Sequence, residues 1–247
     1  VVISIIALLI GILLPALGSA RTTARQMQSS THVRGIHQGC VMFAQGNRGW
    51  YPGLRGDGEI SQESESTLSG AEGQFPQGRY GRLLEGSYVT PGYLISPGET
   101  GDKQVYVPDW TGGTLIKSFN FSYAMLRLDF TQVGVDAVIN KTARVQEWRE
   151  TISSSAVVLS DRNVGLDTVV GGQVSSIWTP RNGGEWRGTV TRNDNSTVFE
   201  SSPVQRTRYG SADDVDEDNI LEAADGGVAG DNAAMVHVDE VSSANHE

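Results

Sequence analysis

The stretch "VVISIIALLIGILLPALGSARTTARQM", at positions 1–27, decides the fold of this chain. It carries no charged residue before Arg21, and Pro15 interrupts an otherwise helical pattern. About 20 apolar residues, at about 1.5 Å of helical rise each, span the roughly 30 Å hydrocarbon core of a bilayer. The segment therefore predicts a helix that is apolar on every side over residues 1–20.

After Arg21 the apolar residues continue along one side of the same helix. Their spacing, mostly three or four residues, is that of an amphipathic helix. The sequence "GNRG" at 46–49 supplies the glycine and asparagine that end helices. The pattern predicts one helix from Val1 to about Gln45, roughly 65 Å long, and divides the chain into a stalk (1–46) and a head (47–247). The one-sided apolar residues are Ala20, Ala24, Met27, Val33, Ile36, Cys40, Phe43 and Ala44.

Two simpler interpretations of the first 20 residues stay open at this point. A secretory signal has a positive region before its apolar run, and none precedes this one, although "LGSA" at Leu17–Ala20 resembles a cleavage site. A membrane anchor needs only the apolar half, with Arg21 and Arg25 flanking the membrane at the lipid headgroups. The continuation into an amphipathic half favours a helix that remains part of the working protein.

Beyond Trp50 the sequence changes to short β-branched or aromatic runs separated by Gly, Pro, Asn and Asp, which indicates a β-rich head. The "NDN" sequence at 193–195 predicts the turn of a β-hairpin. A short helix is expected at Thr142–Thr151 and a long surface loop at Gly53–Gly78. The fold class is therefore α+β: a long helix, apolar and then amphipathic, on an antiparallel sheet. Strands are predicted at Lys103–Pro108, Thr114–Leu126, Ser155–Asp161, Gly171–Trp178, Arg187–Arg192 and Ser196–Ser201.

The net charge of −10 hides a segregated distribution. Residues 1–56 contain five arginines and no acid, whereas residues 209–247, an expected acidic loop region, contain eleven acids and no Lys or Arg. A head with this balance lacks the basic patch that nucleic acids require, so no nucleic-acid partner is predicted for it. In a stacked assembly, the basic stalk could lie against an acidic head surface of a neighbouring copy.

Catalytic patterns are scarce. The chain has no HExxH, GxSxG, CxxC or P-loop sequence. His32 and His37 are five residues apart and point about 140° apart around a helix, so they cannot share a metal; both are expected to be exposed stalk residues. Cys40, the single cysteine, is expected to be a small packing residue. We expect no enzymatic activity and no required cofactor.

One acidic segment, "DVDEDNILEAAD" at 214–225, has the spacing of a calcium-binding loop. Side chains at positions one, three and five of such a loop converge on one hard cation, position nine adds a further ligand, and position twelve closes the site. Asn219 replaces the usual glycine and an aspartate replaces the closing glutamate, so an acidic solvated loop is the alternative. The candidate Ca²⁺ ligands are Asp214, Asp216, Asp218, Glu222 and Asp225.

The run "VVISIIALLIGILLPAL" followed by "ARTTARQMQSSTHVRGIHQG" resembles the N-terminal helix of type IV pilin-like proteins, including the pseudopilins of type II secretion and the planctomycete-type prepilin proteins. Pro15 stands where these proteins commonly have a proline. Segments 92–99, 120–125, 156–163 and 184–200 resemble successive parts of their heads. The chain begins inside the family's apolar run, so the resemblance implies that the processing site, an N-methylated first residue and a glutamate lie upstream of Val1.

The resemblance implies a structural subunit of an extracellular type IV pilus-like or pseudopilus filament, with a pilin-like fold. Its partners would be other copies in open helical symmetry, the inner membrane before assembly, and the pilus or secretion assembly machinery. The protein would form an inner-membrane pool and then a cell-surface filament or a periplasm-spanning pseudopilus. The expected filament-core residues are Val1, Ile3, Ile6, Leu9, Ile10, Gly11, Leu13, Leu14, Pro15 and Leu17.

Two alternatives share this helix. One is a minor, tip-located pseudopilin, which differs in abundance rather than in sequence pattern. The other is a membrane-anchored carbohydrate-binding module, for which Trp110 or Trp186 would have to be exposed. For the filament, we also predict that Gly11–Pro15 is kinked or non-helical after assembly, because proline removes a backbone bond and clashes with the preceding turn.

Overall fold

The structure is a computed structural model. It describes residues 2–61, 66–68, 73, 75–99, 101, 103–107, 115–128, 143–150, 153–164, 174–180, 184–209, 215–221 and 235–236. Three α-helices are described: α1 (Val2–Gly46), α2 (Pro76–Glu85) and α3 (Ala143–Glu147). The strands are β1 (Tyr123–Leu126), β2 (Val157–Asp161), β3 (Gly188–Arg192), β4 (Thr197–Glu200), β5 (Val204–Thr207), β6 (Val215–Asn219) and β7 (Met235–Val236).

Helix α1 has the predicted extent and ends at the predicted sequence. The amides of Asn47 and Gly49 both donate to the carbonyl of Ala44, at 2.9 and 2.8 Å. Arg48 and Gly49 have positive φ values of 54° and 86°, the left-handed conformation that terminates helices. The chain therefore turns sharply at Gly46 and enters the head.

The second half of α1 packs across the sheet, against β2, β3 and β4. Its buried positions begin at Ser29 and recur every three or four residues to Ala44, which is the stripe that the sequence predicts. Gly39 allows a close approach, because a Cβ there would lie 3.0 Å from the Tyr88 carbonyl oxygen and would also clash with Val89. We call residues 29–44 the buried half of α1.

Five strands form an antiparallel sheet in the order β4-β3-β2-β1-β7. Strands β1 and β2 are buried along their whole length. The turn of 193–195 joins β3 to β4 as predicted, with Asn195 at a φ of 65°. A second antiparallel sheet consists of β5 and β6. A long helix on an antiparallel sheet confirms the α+β fold class.

The core beside the sheet is built around Trp148. Its indole nitrogen donates to the Pro52 carbonyl at 2.7 Å, and the Arg79 guanidinium lies 5.0 Å from its ring centroid. Arg79 is itself buried and donates to the carbonyls of Gly73 and Leu126, at 2.8 and 2.6 Å. These bonds satisfy the buried charge, which would otherwise be costly.

Strands β2, β3 and β4 and helix α3 confirm predicted elements, and β1 confirms the end of the strand predicted at 114–126, whereas the other strand predictions were wrong. Residues 103–107 and 174–178, the described parts of two predicted strands, contain no strand. Within the predicted strand 114–126, Ser118–Asn120 forms a 3-10 turn, because the Asn120 side chain accepts from the Lys117 amide and donates to the Gln104 carbonyl, both at 2.9 Å. Helix α2 begins inside the predicted loop, and β6 and β7 lie inside the region expected to be an acidic loop.

Candidate functional surface: the exposed half of the N-terminal helix

The first half of α1 is exposed in the described structure. Every residue from 2 to 25 is exposed, and the large apolar side chains retain from 49% (Ile10) to 82% (Ile3) of their accessible surface. Covering one such side chain is worth about 1.5 to 3 kcal/mol. We call residues 2–20 the apolar half of α1. It is a continuous hydrophobic surface, which a soluble monomer would expose to water.

The apolar half faces in all directions rather than along one stripe. The predicted filament-core residues from Ile3 to Leu17 all lie on it, and Val1 lies outside the described residues. Equally exposed neighbours were left out of that prediction, namely Val2, Ile5, Leu8 and Ile12. A helix that is apolar on every side has no apolar stripe. The periodicity of the sequence therefore could not distinguish which of its residues lie in a filament core.

The helix is long and apolar enough to cross a membrane, and the window that qualifies is not buried in the protein. Three hydroxyl groups at the end of this segment bond within the helix: Ser19 donates to the Ala16 carbonyl at 2.9 Å, Thr22 to the Gly18 carbonyl at 3.2 Å and Thr23 to the Ser19 carbonyl at 3.2 Å. Such internal bonds suit side chains at a lipid or apolar boundary. The apolar N-terminal helix thus points to membrane association.

Arg21 and Arg25 lie where the apolar half ends, and both are exposed. They are four residues apart and so share one side of the helix. Neither forms an ion pair with a described residue. Their position at the end of a bilayer-length segment fits headgroup contact, and it leaves both guanidinium groups open to a partner.

Pro15 lies within a continuous helix. Its ring nitrogen cannot donate to the Gly11 carbonyl, and no heavy atom outside the helix lies within 4 Å of the position that a Cβ on Gly11 would occupy. The predicted kink concerns the assembled state, so it stays a prediction.

Only two of the five candidate calcium ligands belong to the described residues, and both lie on β6. Asp216 is exposed and pairs with Arg206 at 3.3 Å. Asp218 is buried and accepts a hydrogen bond from the Thr207 hydroxyl. Asp214, Glu222 and Asp225 lie outside the described residues, among which no group of three potential ligands is close enough to hold a metal. The calcium site stays a prediction.

The two stalk histidines are not exposed side chains, so that expectation was wrong. His37 is 1% exposed, with Nδ1 3.1 Å from Asn195 Oδ1 and Nε2 3.2 Å from the Tyr51 hydroxyl. His32 is half-buried, stacks on Tyr93 and contacts the Ile95 carbonyl through Nδ1 at 3.1 Å. Burial lowers the pKa of both imidazoles. They fasten α1 to the head.

Cys40 is buried, and burial raises the pKa of its thiol to about 12. The packing role predicted for it agrees with this environment. Trp186 is 1% exposed and cannot serve as a platform for a sugar ring. Trp110, the other candidate platform, lies outside the described residues.

A groove lies between the buried half of α1, the β3–β4 turn and the segment after α3. It encloses about 660 Å³. We call it the helix–turn groove. It is lined by His37, Gln38, Val41, Met42, Tyr51, Glu150, Ser153, Ser154, Asn193, Asp194 and Asn195.

The floor of the groove is a hydrogen-bond network. The Tyr51 hydroxyl donates to Asn193 Oδ1 at 2.7 Å and meets His37 Nε2. The Asn193 amide donates to the carbonyls of Glu147 and Arg149, at 3.0 and 3.1 Å. The network holds the turn and the helix in fixed positions, so the groove is preformed.

Comparisons of the chain with protein-family models, curated proteins and solved structures gave no significant match.

Proposed function

We propose that this chain is a structural subunit of an extracellular filament of the type IV pilus-like or pseudopilus kind, polymerising through the apolar half of α1. The observation that carries the proposal is that every residue from 2 to 25 is exposed, in a helix whose second half packs one side against the head. The role is structural rather than catalytic.

The exposed helix needs a covering, and two are available to it. As a monomer, the subunit keeps its apolar half in the inner membrane, where about 20 residues match the thickness of the hydrocarbon core. In the fibre, the same half packs among other copies of itself. Repeated contacts between different surfaces of identical subunits, when they do not close into a ring, build an open helical filament.

The head is built to hold such a helix firmly. Ser29 Oγ lies 3.0 Å from the Tyr123 hydroxyl at the start of the buried half, and His37 is fixed further along. The apolar half therefore projects from a rigid base, an arrangement compatible with a pilin-like fold. A membrane anchor joined to the head by a flexible linker would not require these contacts between the helix and the head.

A membrane-anchored monomer is the second candidate, because the same helix is apolar enough to span a bilayer. A substitution that keeps the helix apolar but shortens its side chains can separate packing between subunits from insertion into the membrane. Alanine is tolerated in membrane helices, but in a protein-packed fibre core the exchange of leucine for alanine removes side-chain contacts and leaves a cavity. Leu9→Ala with Leu13→Ala alters two exposed side chains of the apolar half, and Val107→Ala, at 74% exposure on the head, is the matched control.

The experiment expresses the full precursor of each variant and compares the membrane fraction with the material sheared from cells. We expect fibres from the wild-type protein and from Val107→Ala. The double variant should give at least several-fold fewer fibres, with an unchanged membrane pool. Absence of wild-type fibres, with all protein in the membrane as monomers, would favour the anchored monomer and overturn the proposal.

A further inference from the structure

The helix–turn groove has the features of a docking surface. Its apolar contribution comes mainly from Val41 and Met42, and Met42 is 55% exposed. Its floor is fixed by the Tyr51 network, so a partner would not have to order it on binding. The groove is therefore preorganised for a partner.

The charge of the groove selects a basic partner. The residues that line it include two exposed acids, Glu150 and Asp194, and no lysine or arginine. Burial lowers the pKa of His37, which keeps this imidazole neutral near pH 7. Partial burial raises the pKa of Asp194, but hydrogen bonds from Ser196 and the nearby Arg192 guanidinium outweigh it and hold this pKa below its ordinary value. Arg192 does not line the groove and pairs with Gln205 and Glu200. Arg34 lies one helical turn before Gln38 but does not line the groove.

The chain itself carries a segment of matching chemistry. Residues 21–28 present Arg21 and Arg25 on one side of α1, and Met27, 67% exposed, lies on another side of the same segment. This segment contains no acid. It cannot reach the groove of its own subunit, because both belong to one continuous helix and are separated by about 17 residues, on the order of 25 Å. Only another copy can bring the two together.

We propose that residues 21–28 of one subunit lie across the helix–turn groove of a neighbouring subunit, with Arg21 and Arg25 facing Glu150 and Asp194. This inference rests on the proposed filament. Each subunit gives one such contact and receives one, so the contact repeats along an open assembly. Neighbours that share it are displaced by on the order of 25 Å along the helix axis if their helices run parallel.

Charge removal gives the first test. Glu150→Gln with Asp194→Asn neutralises the groove and retains the side-chain oxygen that accepts from the Ser196 amide. Glu185→Gln is the control, since this exposed acid lies beyond the opposite end of β3. We expect the double variant to raise the critical concentration for assembly about three- to tenfold at low salt, and less at high salt, because exposed ion pairs are screened. The control should assemble like the wild type, and equal critical concentrations for all three proteins would overturn the inference.

Cross-linking gives the second test and separates the inference from the filament itself. Gln28→Cys with Ser154→Cys places one thiol beside the arginines and one at the groove, while both arginines stay in place. The native Cys40 is buried and should not react. The control pair is Gln28→Cys with Glu185→Cys.

A short bis-maleimide should convert fibres of the first pair into a ladder of covalent oligomers and leave the control pair mostly monomeric. Fibres without a ladder, or cross-links only to a different protein, would overturn the groove contact and leave the filament proposal standing. Failure of the wild-type chain to form fibres would overturn both.

Discussion

Nδ1 of His37, on α1, lies 3.1 Å from Oδ1 of Asn195, in the turn between β3 and β4, 158 residues further along the chain. This contact, with the Tyr51 hydroxyl on the other ring nitrogen, ties the stalk helix to the edge of the sheet. It also makes the attachment sensitive to protons, because the imidazole is almost completely buried.

The His37 contact predicts a specific pH dependence of stability. Burial lowers the pKa of the folded-state imidazole below 6.5, so the unfolded chain binds more protons in that range. The contribution of His37 is therefore fully present above pH 6.5 and is lost as the pH falls below it. We expect His37→Gln to unfold at lower denaturant concentration than wild type at pH 7.5, by about 1 to 3 kcal/mol, and the difference to shrink at pH 5.5.

Equilibrium denaturation in detergent at the two pH values measures this effect. Gln38→Asn, at an exposed position next to His37, is the control and should follow the wild type. A difference between His37→Gln and wild type that grows on acidification would contradict the assignment.

Gly39 is predicted to be required by packing rather than by backbone conformation. A Cβ at this position meets Val89 and the Tyr88 carbonyl, so Gly39→Ala should destabilise the head by about 1 to 3 kcal/mol. Gly18→Ala is the matched control on the same helix, because nothing lies within 4 Å of its Cβ position. Alanine there should be neutral or stabilising, since it favours helix more than glycine does. Thermal unfolding of both variants decides the point, and equal losses would refute the close approach.

Cys40 is predicted to be inert in the folded protein. Its burial and a thiol pKa of about 12 leave almost no accessible thiolate at pH 8. Iodoacetamide should label the denatured chain completely and the native chain more slowly, by a factor on the order of 100 or more, because the thiolate is the reactive form. Mass spectrometry measures the extent of labelling over time. Rapid labelling of the native protein would contradict the prediction and show that α1 detaches readily from the head.

Pro15 is predicted to help assembly by weakening the helix where neighbours pack. Pro15→Ala restores the bond from residue 15 to the Gly11 carbonyl, worth about 3 kcal/mol of helix stability. The variant should be as helical as wild type or more so in micelles, by circular dichroism, and should form fewer fibres. Fibre yields equal to or above those of wild type would contradict a role for bending at Gly11–Pro15.

The sequence predicted the elements whose signals are local. The uninterrupted apolar run and the "GNRG" ending defined α1, and the asparagine-rich turn at 193–195 defined the β3–β4 hairpin. Helix α2 escaped prediction because it is short and contains two glycines, Gly78 and Gly81, which disfavour helix. Pro76 occupies the first turn of α2, where proline is favoured, but proline is also common in loops and so does not by itself predict a helix.

The remaining differences depend on contacts between distant parts of the chain. His37 lies on the same helix face as Val33 and Ala44, so its position in the helix already indicated burial, and its polar side chain led to the wrong expectation. Its partners, Tyr51 and Asn195, come from other parts of the chain and could not be identified from the sequence. In the segment where a strand was expected at 103–108, the Gln104 carbonyl accepts a hydrogen bond from the Asn120 side chain instead of from a neighbouring strand. The helix–turn groove gathers residues from four separate segments of the chain. Of this contact, the sequence indicated only the basic stalk, because the acidic region that it singled out was 209–247 and not Glu150 or Asp194.

Helical cryo-electron microscopy of fibres sheared from cells that express the full precursor tests the central claim most directly. We predict a fibre core of packed α1 helices, with residues 2–20 of each subunit buried against other copies and the heads outside. A fibre whose core excludes these helices would contradict it. So would a protein that occurs only as membrane-bound monomers.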